Sequence, residues 1–252
     1  MTGVERPVTI KIGGVAGQHA DGLALIARAA PPDTAVVHGG GNEVAEWSRR
    51  LGLEPRSHEG LRITDPATLD VVVAVLGGLV NTRLVAAFES AGRPAVGLTG
   101  VDGGLLRLTR RQPELGEVGE AVGADAALIR SVVAAGWLPV IASIGLHEGA
   151  VLNVNADEAA GAIAAARGGL LLLCTDVPGV QLDGRVLERL DAATAERMLD
   201  EGSASAGMRP KLRAALVAAR AGCEVRIVDG RSASDLERAL AGNGAGTEVT
   251  AA

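Results

Sequence analysis

Lysine is almost absent from this chain: of 24 basic residues only Lys11 and Lys211 are lysines, and the other 22 are arginines. An ammonium is a compact point charge and a guanidinium a wide planar fork, so the two are not interchangeable where a small anion must be met. A composition rich in Ala, Gly and Arg favours arginine wherever any positive charge serves. The two lysines therefore either stand where arginine cannot substitute or persist by chance on the surface. Both lie in glycine-flanked motifs, K-I-G-G (11–14) and G-M-R-P-K (207–211), and a further run, V-H-G-G-G, occupies 37–41. Glycine lets backbone N–H groups come close to phosphate oxygens, and a following helix start adds the positive end of its dipole; plain tight turns are the alternative. Asp157 stands in the polar cluster Asn153–Asp157 ahead of an Ala-rich stretch, where it is either a functional carboxylate or an N-cap. Arg62 suits a bidentate grip on a carboxylate or is a solvated surface residue. His38, at a strand end beside the glycines, reads as structural.

The elements that must position these residues alternate short apolar runs with helical stretches, as in a mainly parallel α/β sheet. Strands are expected at 8–12, 34–38, 95–100, 138–144, 170–176, 224–228 and 247–249. Helices are expected at about 21–30, 42–51, 66–91, 124–135, 158–167, 191–201, 208–221 and 233–240, with polar hairpins at 101–118 and around 147–149. Thr64-Asp65-Pro66 is a strong helix start, a capping side chain followed by Pro at the first helical position. Within the helix that follows, Gly77-Gly78 costs ~2 kcal/mol against two alanines, which points to close backbone approach there, for example by a second subunit. The Gly clusters come directly after the strands at 8–12 and 34–38, where open α/β sheets bind ligands.

Composition removes several function classes. One Phe, two Trp and no Tyr leave no platform for stacking nucleobases, and a net charge of −6 argues against a nucleic-acid footprint. Cys174 and Cys223 sit in apolar runs without metal spacing and read as buried thiols of a reduced, cytoplasmic protein. No signal-peptide core is evident at the N-terminus, and no stretch is expected to approach membrane-span length. The usual nucleotide signatures are missing. A Walker A loop needs Gly-Lys-Ser/Thr, yet Lys11 follows Ile10 and Lys211 follows Pro210; residues 13–17 do not fit G-x-G-x-x-G; and no H-R-D motif occurs.

Taken together, K-I-G-G (11–14), V-H-G-G-G (37–41), G-L-R-I-T (60–64), L-N-V-N-A-D (152–157), T-D-V-P-G-V (175–180) and G-M-R-P-K (207–211) resemble the acetylglutamate kinase family of the amino-acid kinase superfamily, in family order and over nearly the whole chain. The resemblance implies a three-layer sandwich around a central, mainly parallel sheet, formed by a single domain. Its N-lobe (about 1–160) would bind the acyl substrate and its C-lobe (about 161–252) the nucleotide. It implies transfer of a phosphoryl group from ATP, with Mg²⁺ carried on the nucleotide phosphates, to N-acetyl-L-glutamate in arginine biosynthesis. By position, Lys11 and Lys211 would stabilise the moving phosphoryl group, Gly14 and Gly40 would donate backbone N–H groups to it, and Asp157 would hold the lysines. Gly40, Gly41, Arg62 and Asn153 would bind the acyl acceptor. Asp176, Val177, Pro178, Gly179, Val180 and Gln181, with Ser203, Ala204 and Ser205, would line the ATP site. No protein-held metal is implied.

The chemistry agrees: the attacking carboxylate is ionised at neutral pH, so no general base is required, and positioning with charge stabilisation suffices. Arginine-inhibited relatives carry an extra N-terminal helix that joins dimers into hexamers. Seven residues before the first strand suggest instead a short, arginine-insensitive homodimer without nucleic-acid or membrane partners. Two alternatives stand beside this reading: a kinase for aminoadipate or glutamate linked to an amino-group carrier protein, and a non-catalytic nucleotide sensor on the same fold.

Overall fold

The computed structural model describes residues 6–13, 20–58 and 60–252. At its centre lie β1 (Val8–Ile12), β2 (Thr34–His38), β3 (Ala95–Thr99), β4 (Leu138–Ala142), β5 (Leu170–Thr175), β6 (Arg189–Asp191), β7 (Glu224–Asp229) and β8 (Thr247–Thr250). They form one sheet in the order β6-β8-β7-β5-β1-β2-β4-β3. Every neighbouring pair is parallel except β7–β8. The inner strands β1, β2, β4 and β5 are buried at every residue. That is why they read as mainly apolar runs, with buried polar exceptions such as Thr9, Lys11, Thr34 and His38: a parallel sheet has both faces covered.

The helices are α1 (Ala20–Ala29), α2 (Gly41–Arg50), α3 (Pro66–Ser90), α4 (Ala127–Ala134), α5 (Ala156–Arg167), α6 (Ala192–Asp200), α7 (Met208–Arg220) and α8 (Ala233–Leu240). Two apolar cores sandwich the sheet. Val37, Ile141, Leu171 and Leu173 pack with α5 and α7 on one face; Ile10, Val36, Val140 and Leu172 pack with α1, α3 and α8 on the other. The expected three-layer α/β architecture is therefore present. Side chains alternate across a strand, so Lys11, paired with Leu173 and Val37, joins the α5/α7 face. His38, paired with Ile12, joins the opposite face.

The sequence reading needs three corrections. The run 138–144 breaks at Ser143. Leu138–Ala142 stays in the main sheet, while Ile144–His147 enters a small closed barrel with Leu106–Arg110, Val118–Ala124 and Ala150–Val154. The helix expected from about 124 starts at Ala127 instead: Ala124 ends the barrel strand, paired with Leu106, and Asp125 Oδ1 accepts from Ala127 N at 2.9 Å. The third concerns α3, whose 25 residues are long and apolar enough to cross a membrane by length and composition alone. Its Leu84 and Phe88 nevertheless pack into the sheet core, and it opens into a π-helix over Val73–Val80, around Gly77-Gly78. Asp65 caps its start, accepting from Thr68 N at 2.8 Å.

Candidate active site

Lys11, Asp157 and Lys211 come from three elements and meet beyond the carboxyl ends of the strands. Lys11 is the penultimate residue of β1. Asp157 lies in the first turn of α5, where Asn155, not Asp157, is the cap: Asn155 Oδ1 accepts from Asp157 N at 2.8 Å and Glu158 N at 3.3 Å. The Asp157 side chain is thereby free of capping duty. Its Oδ1 lies 3.0 Å from Lys11 Nζ and its Oδ2 accepts from Lys211 Nζ at 3.4 Å. All three side chains are largely buried. Burial lowers the Lys211 pKa, and Asp157 opposes that shift. Two ammonium groups on one carboxylate leave one net positive charge with little water around it. Ordinary stability does not favour such a cluster, but an incoming anion would complete it.

Two cavities meet at Lys11 and Gly13. One, of about 240 Å³, brings together Gly40, Gly41, Arg62, Asn153 and Asp157, with Val44, Val72, Leu76 and Val118 as its apolar wall. The other, of about 210 Å³, holds Asp176 and Lys211 with Asn42, Cys174 and Thr175. The glycine run 39–41 opens into α2, with Gly40 as its N-cap. Arg62 is carried by the Ser57–His58/Leu61–Arg62 hairpin and donates through Nη2 to Gly41 O at 2.7 Å. Burial and the neighbouring Arg49 depress its pKa.

The remaining expected residues are distributed differently. Gly14 lies outside the described residues. Of the 176–181 run, Asp176 faces the cavity of Lys211, whereas Val180 is buried in the core, its N–H held by Thr247 Oγ1 at 2.8 Å. Gly179 packs against the same threonine, Val177 against the core, and Pro178 lines a separate cavity with Arg226 and Glu248. Gln181 starts an exposed two-stranded hairpin with Arg185–Val186. Ser203, Ala204 and Ser205 fold back on the end of α6 and lead into α7, with Ala204 buried. They do not line either cavity at Lys11.

Three contributors escaped the sequence reading. A Cβ at Gly13 would stand 2.5 Å from Lys11 Nζ, so this glycine leaves the room that the amine occupies. Thr64, fully buried, donates to Arg62 O at 3.0 Å and accepts from Asn153 Nδ2 at 3.1 Å, joining two residues of the first cavity. A Cβ at Gly161 would meet Ala214 O at 2.8 Å, so its absence allows α5 and α7 to approach. Gly13 was legible as part of K-I-G-G and Thr64 as the end of G-L-R-I-T, though not its bond to Asn153; Gly161 carries no local signal. Cys174, expected as a buried thiol, is one, and burial raises its pKa to about 12. Cys223 is buried as well.

The Amino acid kinase family profile matches residues 8–229. The chain is 44% identical over 248 residues to the acetylglutamate kinase of Methanopyrus kandleri, covering 93% of this chain and 97% of that one. It is 42% identical over 247 residues to that of Rubrobacter xylanophilus, covering 97% of each. Among solved structures, smu.665 from Streptococcus mutans UA159 matches with a TM-score of 0.82 at 28% identity, over 97% of this chain and 98% of that one. With likeness of this degree running nearly end to end, the chain belongs to the acetylglutamate kinase family, a branch of the amino acid kinase family.

Proposed function

We propose that this protein transfers the γ-phosphoryl group of ATP to the side-chain carboxylate of N-acetyl-L-glutamate, releasing ADP and N-acetyl-L-glutamyl 5-phosphate for arginine biosynthesis. The observation that carries this reading is Asp157 held between Lys11 and Lys211, where a cavity containing Arg62 and Asn153 meets one containing Asp176. The acceptor carboxylate has an ordinary pKa near 4 and attacks without a base. Arg62 spends one donor on Gly41 O and keeps the rest of its fork for the substrate α-carboxylate. Asn153 supplies an amide contact, and Val44, Val72, Leu76 and Val118 receive the acetyl methyl.

As charge grows on the phosphoryl oxygens, Lys11 and Lys211 meet it as point charges, and Gly40 and Gly14 donate backbone N–H groups. Asp157 keeps the two ammonium groups from repelling one another out of place. The nucleotide lies on the side of Asp176–Gln181 and Ser203–Ser205, making residues up to about 160 the acyl half and the rest the nucleotide half. Mg²⁺ carried on the nucleotide phosphates would supply charge neutralisation, and Asp176, which lines the cavity of Lys211, would be the carboxylate to hold it. The protein works in the cytoplasm as a homodimer joined through α3.

The test of the acceptor is ADP release with N-acetylglutamate, glutamate, aspartate, carbamate and a carrier-linked glutamate, each at equal concentration. N-acetylglutamate should be preferred by at least about 100-fold in kcat/KM, the scale of losing one well-fitted apolar group, and by more where polar groups of the site go unpaired. Preference for the carrier-linked acceptor would transfer the reading to that class, and ATP binding without turnover on any acceptor would make the protein a sensor.

A further inference from the structure

His38 reads in the sequence as a structural residue, but its ring is tied to the glycine run that follows it. The ring is buried on the α3 face of the sheet. Asn81, itself buried in α3, brings Nδ2 to 3.0 Å from His38 Nε2; the same nitrogen lies 2.8 Å from Val140 O and 3.3 Å from Leu98 O, so it is the donor among three acceptors. Gly97 leaves the space for this amide, since a Cβ there would collide with Asn81 Oδ1. A side-chain amide nitrogen only donates. His38 Nε2 finds no acceptor there for a proton of its own, and the proton of the neutral ring is therefore placed on Nδ1. Nδ1 lies 2.9 Å from Gly39 O and donates to it. Desolvation lowers the His38 pKa to about 4, against the opposing effects of the Gly39 bond and Glu43, which keeps the ring neutral at physiological pH.

The consequence reaches Gly40. The Gly39 carbonyl is drawn to the face on which His38 lies. The Gly39–Gly40 peptide is trans, so the Gly40 N–H points away from the Gly39 carbonyl that His38 holds; Gly40 lines the cavity of Lys11 and Asp157 as well as a small one beside His38. A glycine–glycine peptide has no side chain to fix its plane and is otherwise free to turn. We propose that His38, held in its Nδ1–H tautomer by Asn81, is a positioning residue that aims the Gly40 N–H at the transferring phosphoryl group. The proposal rests on the kinase reading for its last step; the tautomer itself does not.

The experiment has two arms. In the first, the full-length protein is labelled with ¹⁵N-histidine, and its long-range ¹H–¹⁵N spectrum is recorded at pH 7, with His38→Asn used for assignment. The expected pattern is a protonated Nδ1 and a bare Nε2 for His38. A protonated Nε2, alone or as imidazolium, would overturn the clamp. In the second, His38→Asn keeps an N–H donor at the δ position and His38→Leu removes it. Misaiming one donor should lower the kcat of His38→Leu about 10- to 100-fold, with both KM values nearly unchanged, and His38→Asn should recover most of that loss. Equal losses in the two variants, or a loss confined to KM, would overturn the positioning role. Should His38→Leu not fold, Asn81→Asp keeps the imidazole and puts only acceptors beside Nε2; a protonated Nε2 with lowered kcat is then expected, and a bare Nε2 with lowered kcat, or a protonated Nε2 with normal kcat, would contradict the proposal. A wild-type protein with the expected tautomer but no kinase turnover would sink the kinase reading and leave the clamp standing.

Discussion

Asp157 between Lys11 and Lys211 leaves an unbalanced charge that an anion can neutralise, and this makes the lysines testable against the 22 arginines elsewhere in the chain. If charge alone mattered, Lys11→Arg and Lys211→Arg would be nearly silent. The wider guanidinium cannot occupy the same point, so each should lower kcat on the order of 100-fold, by misplacement of a transition-state donor, with thermal midpoints little changed. Stopped assays and calorimetry on the two variants decide this; near-normal kcat would make the lysines bystanders. Lys211 also sets a pH dependence. Burial depresses its pKa below the ordinary 10.5, so as pH rises it loses its proton in the folded protein before an unfolded lysine does. In the window between its folded pKa and 10.5, activity should fall with pH while this residue's contribution to stability rises, because the unfolded chain there binds more protons. The alkaline limb of kcat/KM should vanish in Lys211→Arg, whose charge persists; an unchanged limb would assign it to another group. Thr64→Val removes the hydroxyl between Arg62 and Asn153 at constant volume. A lost hydrogen bond of about 1 kcal/mol corresponds to a rise of roughly 5-fold in acceptor KM, without change in ATP KM and with recovery in Thr64→Ser. Scarcity made the lysines legible in the sequence. The Thr64 bond was not, because its partner Asn153 is 89 residues away and only the folded chain brings them together.

At the scale of elements, the distance between Asp157 and Lys211 is set by the packing of α5 on α7, and at Gly161 α5 lies against the α7 backbone at Ala214. A methyl at 161 would press on Ala214 O at 2.8 Å. Overpacking of this kind costs about 1–3 kcal/mol. Gly161→Ala should therefore lower the thermal midpoint and, by drawing Lys211 away from Asp157, also lower kcat; a loss of stability with full turnover would show that the ion triad tolerates the shift. The strands and helices themselves were largely legible, since fully buried parallel strands such as β5 read as apolar runs and α3 announces itself with Asp65 and Pro66. Legibility ended where one apolar run serves two sheets. Nothing local distinguishes Ala142 from Ile144, yet the chain leaves the main sheet between them, with Ser143 N donating to His38 O at 3.2 Å. The cap of α5 was likewise open from sequence: Asn155 and Asp157 are both good caps by type, and only the hydrogen bonds separate them.

For the whole molecule, α3 carries more apolar surface than one sheet face can cover. Val73 is 40% exposed, and Ala74 and Gly78 beside it are exposed too. The apolar composition was visible in the sequence, but which face remained uncovered was not, because that depends on the π-helical turns at Val73–Val80. Pairing of two such faces is the economical way to remove them from water. Light scattering should give twice the 25.4 kDa chain mass, and Val73→Glu should shift the protein toward monomer; a wild-type monomer would refute the α3 interface. The claim on which the rest depends is that the phosphoryl group arrives on the side-chain carboxylate of N-acetylglutamate. The direct measurement is to run the reaction with ATP and N-acetylglutamate in hydroxylamine, which converts an acyl phosphate into a stable hydroxamate, and to identify the product by mass and NMR. The side-chain hydroxamate of N-acetylglutamate should form in amounts matching the ADP released; ADP formed with inorganic phosphate and no hydroxamate would rule out transfer to that carboxylate.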